Sequence, residues 1–288
     1  MLNRNAKIGI FDSGLGGLTV LSSIKRQYPH EKFLYVGDTA FLPYGSKTAD
    51  TIIKRTHKIV KFLISKDVKG IIVACNSASS VALESLQEFY DIPIIGVIES
   101  SIELSLKNKK TKSIGLLGTT TTVNSKAYEK ALSSKTNSVS LNSIACPLFV
   151  PLVEEGWINK NRDIISNIAQ QYLVELFEKN NDIDSIILGC THYPILIDPI
   201  KKAIQDLGYN ANKINFIDNG TAILKNLNLT INIDNENNIA TERLTILDSE
   251  DEFYVTDSQP NFISLSSNIL NYDINTKNIC TDPKILSL

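Results

Sequence analysis

Short apolar runs alternate along the chain with longer segments whose apolar positions recur at helical spacing. β-branched residues fill the short runs, so Lys7–Phe11, Lys32–Val36, Gly70–Ala74, Ile92–Ile95, Ser113–Leu117, Ser185–Leu188 and Ile214–Ile217 are predicted strands. Amphipathic helices are predicted over Leu18–Gln27, Thr51–Ser65, Ser80–Tyr90, Arg162–Glu178 and Ile195–Leu207. In the second of these Ile52, Ile59, Phe62 and Leu63 share one face, which packs on a sheet. Strand followed by helix, many times over, is the pattern of parallel α/β units. Late in the chain, Glu252–Thr256 reads as a strand, Pro260–Leu270 as a helix and Asn226–Asn238 as a surface excursion.

A weak internal repeat refines this picture. Ile71-Ile72-Val73-Ala74-Cys75-Asn76-Ser77 resembles Ile186-Ile187-Leu188-Gly189-Cys190-Thr191-His192, and Ile8-Gly9-Ile10-Phe11 resembles Ile114-Gly115-Leu116-Leu117. The expected fold is therefore α/β, with two similar three-layer domains, mainly parallel sheets and a site in the cleft between them. One domain is expected from residues 1–98 with 210–288, the other from 99–209. Each half places a cysteine just past the carboxyl end of a buried strand, the edge where such sheets take ligands.

Composition narrows the function classes. The 288 residues carry 29 Lys+Arg against 31 Asp+Glu, a net charge of −2 that removes the electrostatic motive for nucleic acid or anionic membrane as a partner. Apolar stretches are strand-sized, well short of a membrane span. Four scattered cysteines and three histidines make neither a disulfide framework nor a metal module, so no metal is expected. The opening Met-Leu-Asn-Arg-Asn-Ala-Lys leads straight into the first strand without a secretory apolar stretch, and a reducing cytoplasm is the expected compartment.

Cys75 and Cys190 are the first candidates for chemistry. A cysteine beside a buried strand is commonly a small core residue. Both, however, follow their strands and are flanked by hydrogen-bonding groups, Asn76 and Ser77 in one case, Thr191 and His192 in the other. A thiol at a helix N-terminus meets unpaired N–H groups that favour thiolate. Cys146 and Cys280 lack that setting and read as structural. The glycine-rich run Asp12-Ser13-Gly14-Leu15-Gly16-Gly17-Leu18-Thr19 is neither a dinucleotide loop nor a Walker sequence, yet it puts an aspartate at the ligand edge of the first strand. Asp38-Thr39-Ala40-Phe41-Leu42-Pro43-Tyr44-Gly45 follows the second strand at the same edge and reads by itself as a turn. His192, two positions from Cys190, can exchange a proton with that thiol.

Together these residues resemble the glutamate racemases. The resemblance runs from about Ile8 to about Leu270 through Phe11-Asp12-Ser13-Gly14-Leu15-Gly16-Gly17, Gly37-Asp38-Thr39-Ala40, Pro43-Tyr44-Gly45, Val73-Ala74-Cys75-Asn76-Ser77-Ala78-Ser79, Cys146-Pro147-Leu148-Phe149-Val150-Pro151-Leu152-Val153-Glu154, Leu188-Gly189-Cys190-Thr191-His192-Tyr193-Pro194 and Phe253-Tyr254-Val255-Thr256-Asp257-Ser258. It implies cofactor-independent interconversion of L- and D-glutamate, supplying D-glutamate for peptidoglycan, in a homodimer. Cys75 matches the base acting on the D-enantiomer and Cys190 the base acting on the L-enantiomer. Asp12 matches the auxiliary group beside Cys75, and Glu154 and His192 those beside Cys190. Asp12, Ser13, Tyr44, Gly45, Asn76, Ser77, Thr191 and His192 fall on substrate-holding positions.

The chain departs from the family pattern in places. Asn76-Ser77-Ala78-Ser79 stands where the family usually has Asn-Thr-Ala-Ser, Ser100-Ser101 where Pro-Gly is common after Val97-Ile98-Glu99, and Asp218-Asn219-Gly220 for a common Asp-Ser-Gly. The last two bear on loop shape and domain orientation rather than chemistry. Two competing readings share the scaffold: racemisation of aspartate or an arylmalonate-type decarboxylation, and a non-catalytic amino-acid sensor. The decarboxylation needs only one thiol.

Overall fold

The computed structural model describes residues 6–231, 233, 250–257, 266 and 269, and the backbone of 279–280. Ten strands run through the described residues: β1 Ile8–Asp12, β2 Phe33–Gly37, β3 Gly70–Val73, β4 Ile94–Gly96, β5 Ser113–Gly118, β6 Ser140–Ala145, β7 Ser185–Gly189, β8 Asn215–Ile217, β9 Glu252–Val255 and β10 Ile279–Cys280. They form two sheets, ordered β10-β9-β2-β1-β3-β4 and β6-β5-β7-β8, with every pairing parallel. The core of the first, β2-β1-β3-β4, has the same order as the whole of the second. The repeat seen in the sequence is thus a repeat of topology: β1 corresponds to β5, and β3, which precedes Cys75, to β7, which precedes Cys190.

Both faces of each sheet are covered, which explains why the central strands read as unbroken apolar runs. On the first sheet, Ile8 and Ile10 pack with Leu18, Leu21 and Ile24 of the helix Leu18–Gln27. On its other face Phe11, Ile71 and Val73 meet Ile52, Ile59 and Leu63 of the helix Ala49–Ile64. On the second sheet, Leu117, Ile186 and Leu188 pack against Ile165, Ala169, Leu173 and Leu176 of the helix Arg162–Lys179, while Ile114, Leu116 and Ile187 face Ile98, Ile102, Tyr128 and Leu132. Each such aliphatic side chain contributes about 1.5–3 kcal/mol of burial. Capping fixes where the long helices begin. Thr48 accepts from the Thr51 N–H, Asn161 from those of Asp163 and Ile164, and Asp218 from that of Thr221.

The structure corrects several boundaries. β8 pairs with β7, Ser185 opposite Asn215 and Ile187 opposite Ile217, so the second sheet claims the chain through Ile217 and the expected switch at residue 210 falls too early. The expected helix Ser80–Tyr90 is two helices, Asn76–Val81 and Leu83–Phe89, and the first starts directly after Cys75. Asn76-Ser77-Ala78-Ser79 stands outside the expected helix because its small polar side chains compete for backbone groups and carry no apolar periodicity. The strand expected from Ile92 begins at Ile94, after Pro93, which has no N–H to give a ladder. β6 went unrecognised because among the described residues it lies at a sheet edge, beside β5, and needs few apolar residues. Asn226–Thr230 finishes the helix Asn219–Thr230, contrary to the expected excursion, with Leu227 and Ile231 buried. Of the remainder of Asn226–Asn238, Ile231 and Ile233 are described, and of the expected helix Pro260–Leu270 only Ser266 and Ile269; the rest of both lies outside the described residues. No helix among the described residues is long and apolar enough to cross a membrane.

Candidate active site

Register puts the candidate residues on facing sheet edges. In the first sheet Asp12 is opposite Gly37, and Phe11 is opposite Val73, so Asp12, Asp38 and Cys75 emerge side by side at the carboxyl ends of β1, β2 and β3. In the second, Gly118 is opposite Ala145 and Gly189, which brings out Cys146 and Cys190 in the places of Asp38 and Cys75, with Thr119 one position past the equivalent of Asp12. Cys75 and Cys190 are both buried free thiols.

A chain of polar contacts joins the two edges. Cys75 Sγ lies 3.8 Å from Ser13 Oγ. Asp12 accepts the Gly14 N–H at 3.0 Å through one oxygen and the Thr191 hydroxyl of the other lobe at 3.2 Å through the second. Next to Thr191, His192 Nδ1 sits 3.8 Å from Cys190 Sγ, and its Nε2 is 2.5 Å from Glu154 Oε1. On the other flank Ser77 Oγ meets Thr119 Oγ1 at 2.9 Å, a second contact between the two edges. Asp12, Ser13, Asn76, Ser77, Thr191 and His192 are all buried.

The lobes approach so closely that two glycines are required. A Cβ on Gly16 would come within 2.5 Å of Thr191 Oγ1 and collide with the His192 ring. One on Gly45 would lie 2.6 Å from Thr119 Cβ. Two threonines complete these contacts. Thr19 donates to the Thr191 carbonyl at 3.0 Å, and the Thr121 hydroxyl reaches the carbonyls of Gly45 and Lys47 at 3.1 and 3.0 Å.

The charged neighbours of the two thiols differ. Burial, followed by the charge of Asp12, pushes the Cys75 thiol up to about 12; the Ala78 N–H at the helix start pulls the other way and loses. The expectation that a helix N-terminus would favour thiolate at Cys75 is therefore overturned by desolvation and a carboxylate neighbour. Burial also raises the Asp12 carboxyl, against the His192 charge and the N–H groups of Gly14 and Gly17. For His192 burial works against the charged form, yet Cys190 on one side and Glu154 on the other together push it well above the usual imidazole range.

Tyr44 is fixed from behind. Its hydroxyl donates to Asp38 Oδ2 at 2.5 Å, and the same buried carboxylate accepts two bonds from Arg55, at 2.7 and 2.8 Å, and one from Thr256 at 2.8 Å. Thr256 arrives there because β9 pairs with β2, Val255 opposite Gly37. Asp38 lay in a quoted motif but gave no sign of its use. Arg55 and Thr119, Thr121 and Tyr128 gave none either, because what they do depends on contacts between distant segments. Cys146 is fully buried among Leu117, Phe149 and Tyr193, a core residue as expected.

Most of the sequence-derived candidates thus gather at the carboxyl edges of the two sheets, where the Asp12–Thr191 and Ser77–Thr119 contacts tie the edges together. A model of the Asp/Glu/Hydantoin racemase family matches residues 8–227. The chain is 41% identical to the glutamate racemase of Hydrogenobaculum sp. (strain Y04AAS1), over 95% of its own length and 97% of that protein's. Among solved structures it resembles the glutamate racemase isoform RacE1 from Bacillus anthracis, with a TM-score of 0.83, 32% identity and coverage of 98% and 99% of the two chains. The glutamate racemase from Francisella tularensis, solved in complex with D-glutamate, gives a TM-score of 0.82 at 32% identity, again covering 98% and 99%. A match of this length, carried by a site of this composition, means that the chain belongs to the Asp/Glu/hydantoin racemase family, among its glutamate racemases.

Proposed function

We propose that the protein interconverts L- and D-glutamate without a cofactor, using Cys75 and Cys190 as the two bases, and so provides D-glutamate for peptidoglycan. The observation that carries this reading is the placement of two buried thiols after equivalent strands of two facing sheets, bridged by the Asp12–Thr191 hydrogen bond. Inverting a stereocentre through a planar carbanion needs proton removal on one face and delivery on the other, which one base cannot readily do.

In the L-to-D direction the Cys190 thiolate takes the α-proton, the electron pair spreads into the substrate carboxylate, and the Cys75 thiol returns a proton to the opposite face. Turnover ends with Cys190 as thiol and Cys75 as thiolate, ready for D-glutamate. A cationic His192 beside Cys190 and a protonated Cys75 suit the start of that direction. Donors around the substrate carboxylate stabilise the charge as it develops: the unpartnered Asn76 Nδ2, the Ser77 and Thr191 hydroxyls, and the dry surroundings that strengthen each contact.

The test is incubation of purified protein with L-glutamate in heavy water, with no cofactor added. D-glutamate carrying α-deuterium is expected. A retained α-proton together with no D-glutamate overturns the reading, and binding without turnover would point to a sensor. Aspartate, run in parallel, separates the neighbouring substrate, which should turn over far more slowly.

A further inference from the structure

The chain crosses between the lobes twice, near the helix Ile98–Ser105 and again before the helix Asn219–Thr230. Both crossings carry departures from the family pattern, and the departures touch each other. The Ser101 hydroxyl lies 3.0 Å from Asn219 Oδ1, and Ser100 Oγ accepts from Asn226 Nδ2 at 3.0 Å. Asn219 Nδ2 in turn donates to the Leu188 carbonyl at 3.2 Å, on the strand that leads to Cys190. Ser101 and Asn219 are buried, so this stitch sits inside the hinge.

Tyr128, a fully buried residue of the second lobe, packs in one cluster with Ile98 and Ile102 of the helix that carries Ser101. Tyr128 reaches across the cleft and places its hydroxyl 2.7 Å from Asn76 Oδ1. A buried phenol must donate its proton somewhere, and this carbonyl oxygen is the acceptor. That choice decides which way the Asn76 amide faces. With Oδ1 committed to Tyr128, Nδ2 is left buried and without a partner, available as a donor. Were the amide reversed, Tyr128 would lose its acceptor, and a carbonyl oxygen would take the donor's place.

We propose that Tyr128 is a positioning residue: it locks the Asn76 amide so that its N–H groups serve an anionic carboxylate, and the helix it packs on is held at the hinge by the Ser101–Asn219 pair. The contact spans the two lobes, so the amide is set only when they are closed. This inference rests on the glutamate reading for the identity of the carboxylate, but the orientation of the amide does not depend on turnover.

Tyr128→Phe removes the hydroxyl and keeps the ring. In this variant kcat/KM for both enantiomers is expected to fall about 10- to 100-fold, mostly through KM, because a mis-set binding group costs that much without touching the bases. In an Asn76→Ala background the same substitution should change kcat/KM by less than about twofold, since the group it orients is gone. Additive losses would overturn the proposal. A second measurement needs no activity: the Asn76 side-chain NH₂ resonances of asparagine-labelled, ligand-free protein should shift and broaden in Tyr128→Phe, with thermal stability showing the fold is kept. Unchanged resonances would refute the lock even if the wild-type protein proved inactive on glutamate. A wild-type protein inactive on glutamate, with the resonances altered as expected, would refute only the proposed function.

Discussion

The Cys75 and Cys190 halves of the cleft have one scaffold and opposite neighbours. Each thiol follows the third strand of a sheet core with the same order. The first strand of one core ends in Asp12, however, and that of the other leads to Thr119. Burial and the Asp12 carboxylate hold the Cys75 proton in place, while the group beside Cys190 is an imidazole, His192, that Cys190 and Glu154 push towards its cationic form. Duplicated topology supplies the two-sided geometry, and a few substitutions at strand ends supply the asymmetry. That asymmetry cannot bias the reaction, because enantiomers have equal free energy in water and kcat/KM must be the same in both directions. In the proposed two-base mechanism, what it decides is which enantiomer the resting enzyme is prepared to meet.

The sharpest way to break this comparison is to remove one thiol at a time. Cys75→Ala and Cys190→Ala should each lower racemisation by about 10³-fold or more, as expected for loss of a proton-transfer group. The two losses should differ in what survives. Cys75→Ala, keeping the base for the L face, should still exchange the α-proton of L-glutamate with heavy water, detectable by proton NMR; Cys190→Ala should do so with D-glutamate. Exchange of the opposite enantiomer in each variant would reverse the facial assignment, and full racemisation in either would end the two-base account.

Much of this site was legible because its polar residues cluster within motifs. Asp12, Cys75 and Cys190 each follow an apolar run that can only be a buried strand, and a parallel sheet brings such ends together. The repeat around the two cysteines showed the pairing of lobes. Less visible was everything created by contact at a distance. Thr256 meets Asp38 only because β9 docks beside β2, and Tyr128 meets Asn76 only across the closed cleft. The protonation of Cys75 was misread for a related reason: a helix start is a local feature, whereas burial and the Asp12 charge belong to the folded whole.

The charge asymmetry itself is sharpened by Asp12→Asn. The variant removes the second-largest influence on Cys75, after burial, so the thiol should ionise at lower pH than in the wild-type protein. The sign is fixed: a thiol pushed up to about 12 from 9.0 stays protonated through neutral pH, and deleting the neighbouring anion relaxes it downward. Alkylation of Cys75 by iodoacetamide, followed by mass spectrometry across pH, should show a midpoint lowered by about one unit, the usual effect of one nearby like charge. A midpoint that rose, or moved at Cys190 and not at Cys75, would place Asp12 with the wrong thiol. Activity should fall about 10- to 100-fold in the same variant, since Asp12 also receives Thr191 from the other lobe.

The smallest effect is expected at the mouth, where Thr121 of the second lobe holds the Gly45–Lys47 turn of the first. Thr121→Val keeps the shape and deletes one hydroxyl donor, shared between the Gly45 and Lys47 carbonyls and worth about 1 kcal/mol or roughly fivefold in affinity. KM should therefore rise about fivefold for both enantiomers, with kcat unchanged or slightly raised if opening limits product release. Here the two faces of the substrate should behave alike, because the latch belongs to neither cysteine. A fall in kcat at constant KM would show instead that the hydroxyl acts on the reacting atoms, and the division between a symmetric closure and an asymmetric pair of bases would have to be redrawn.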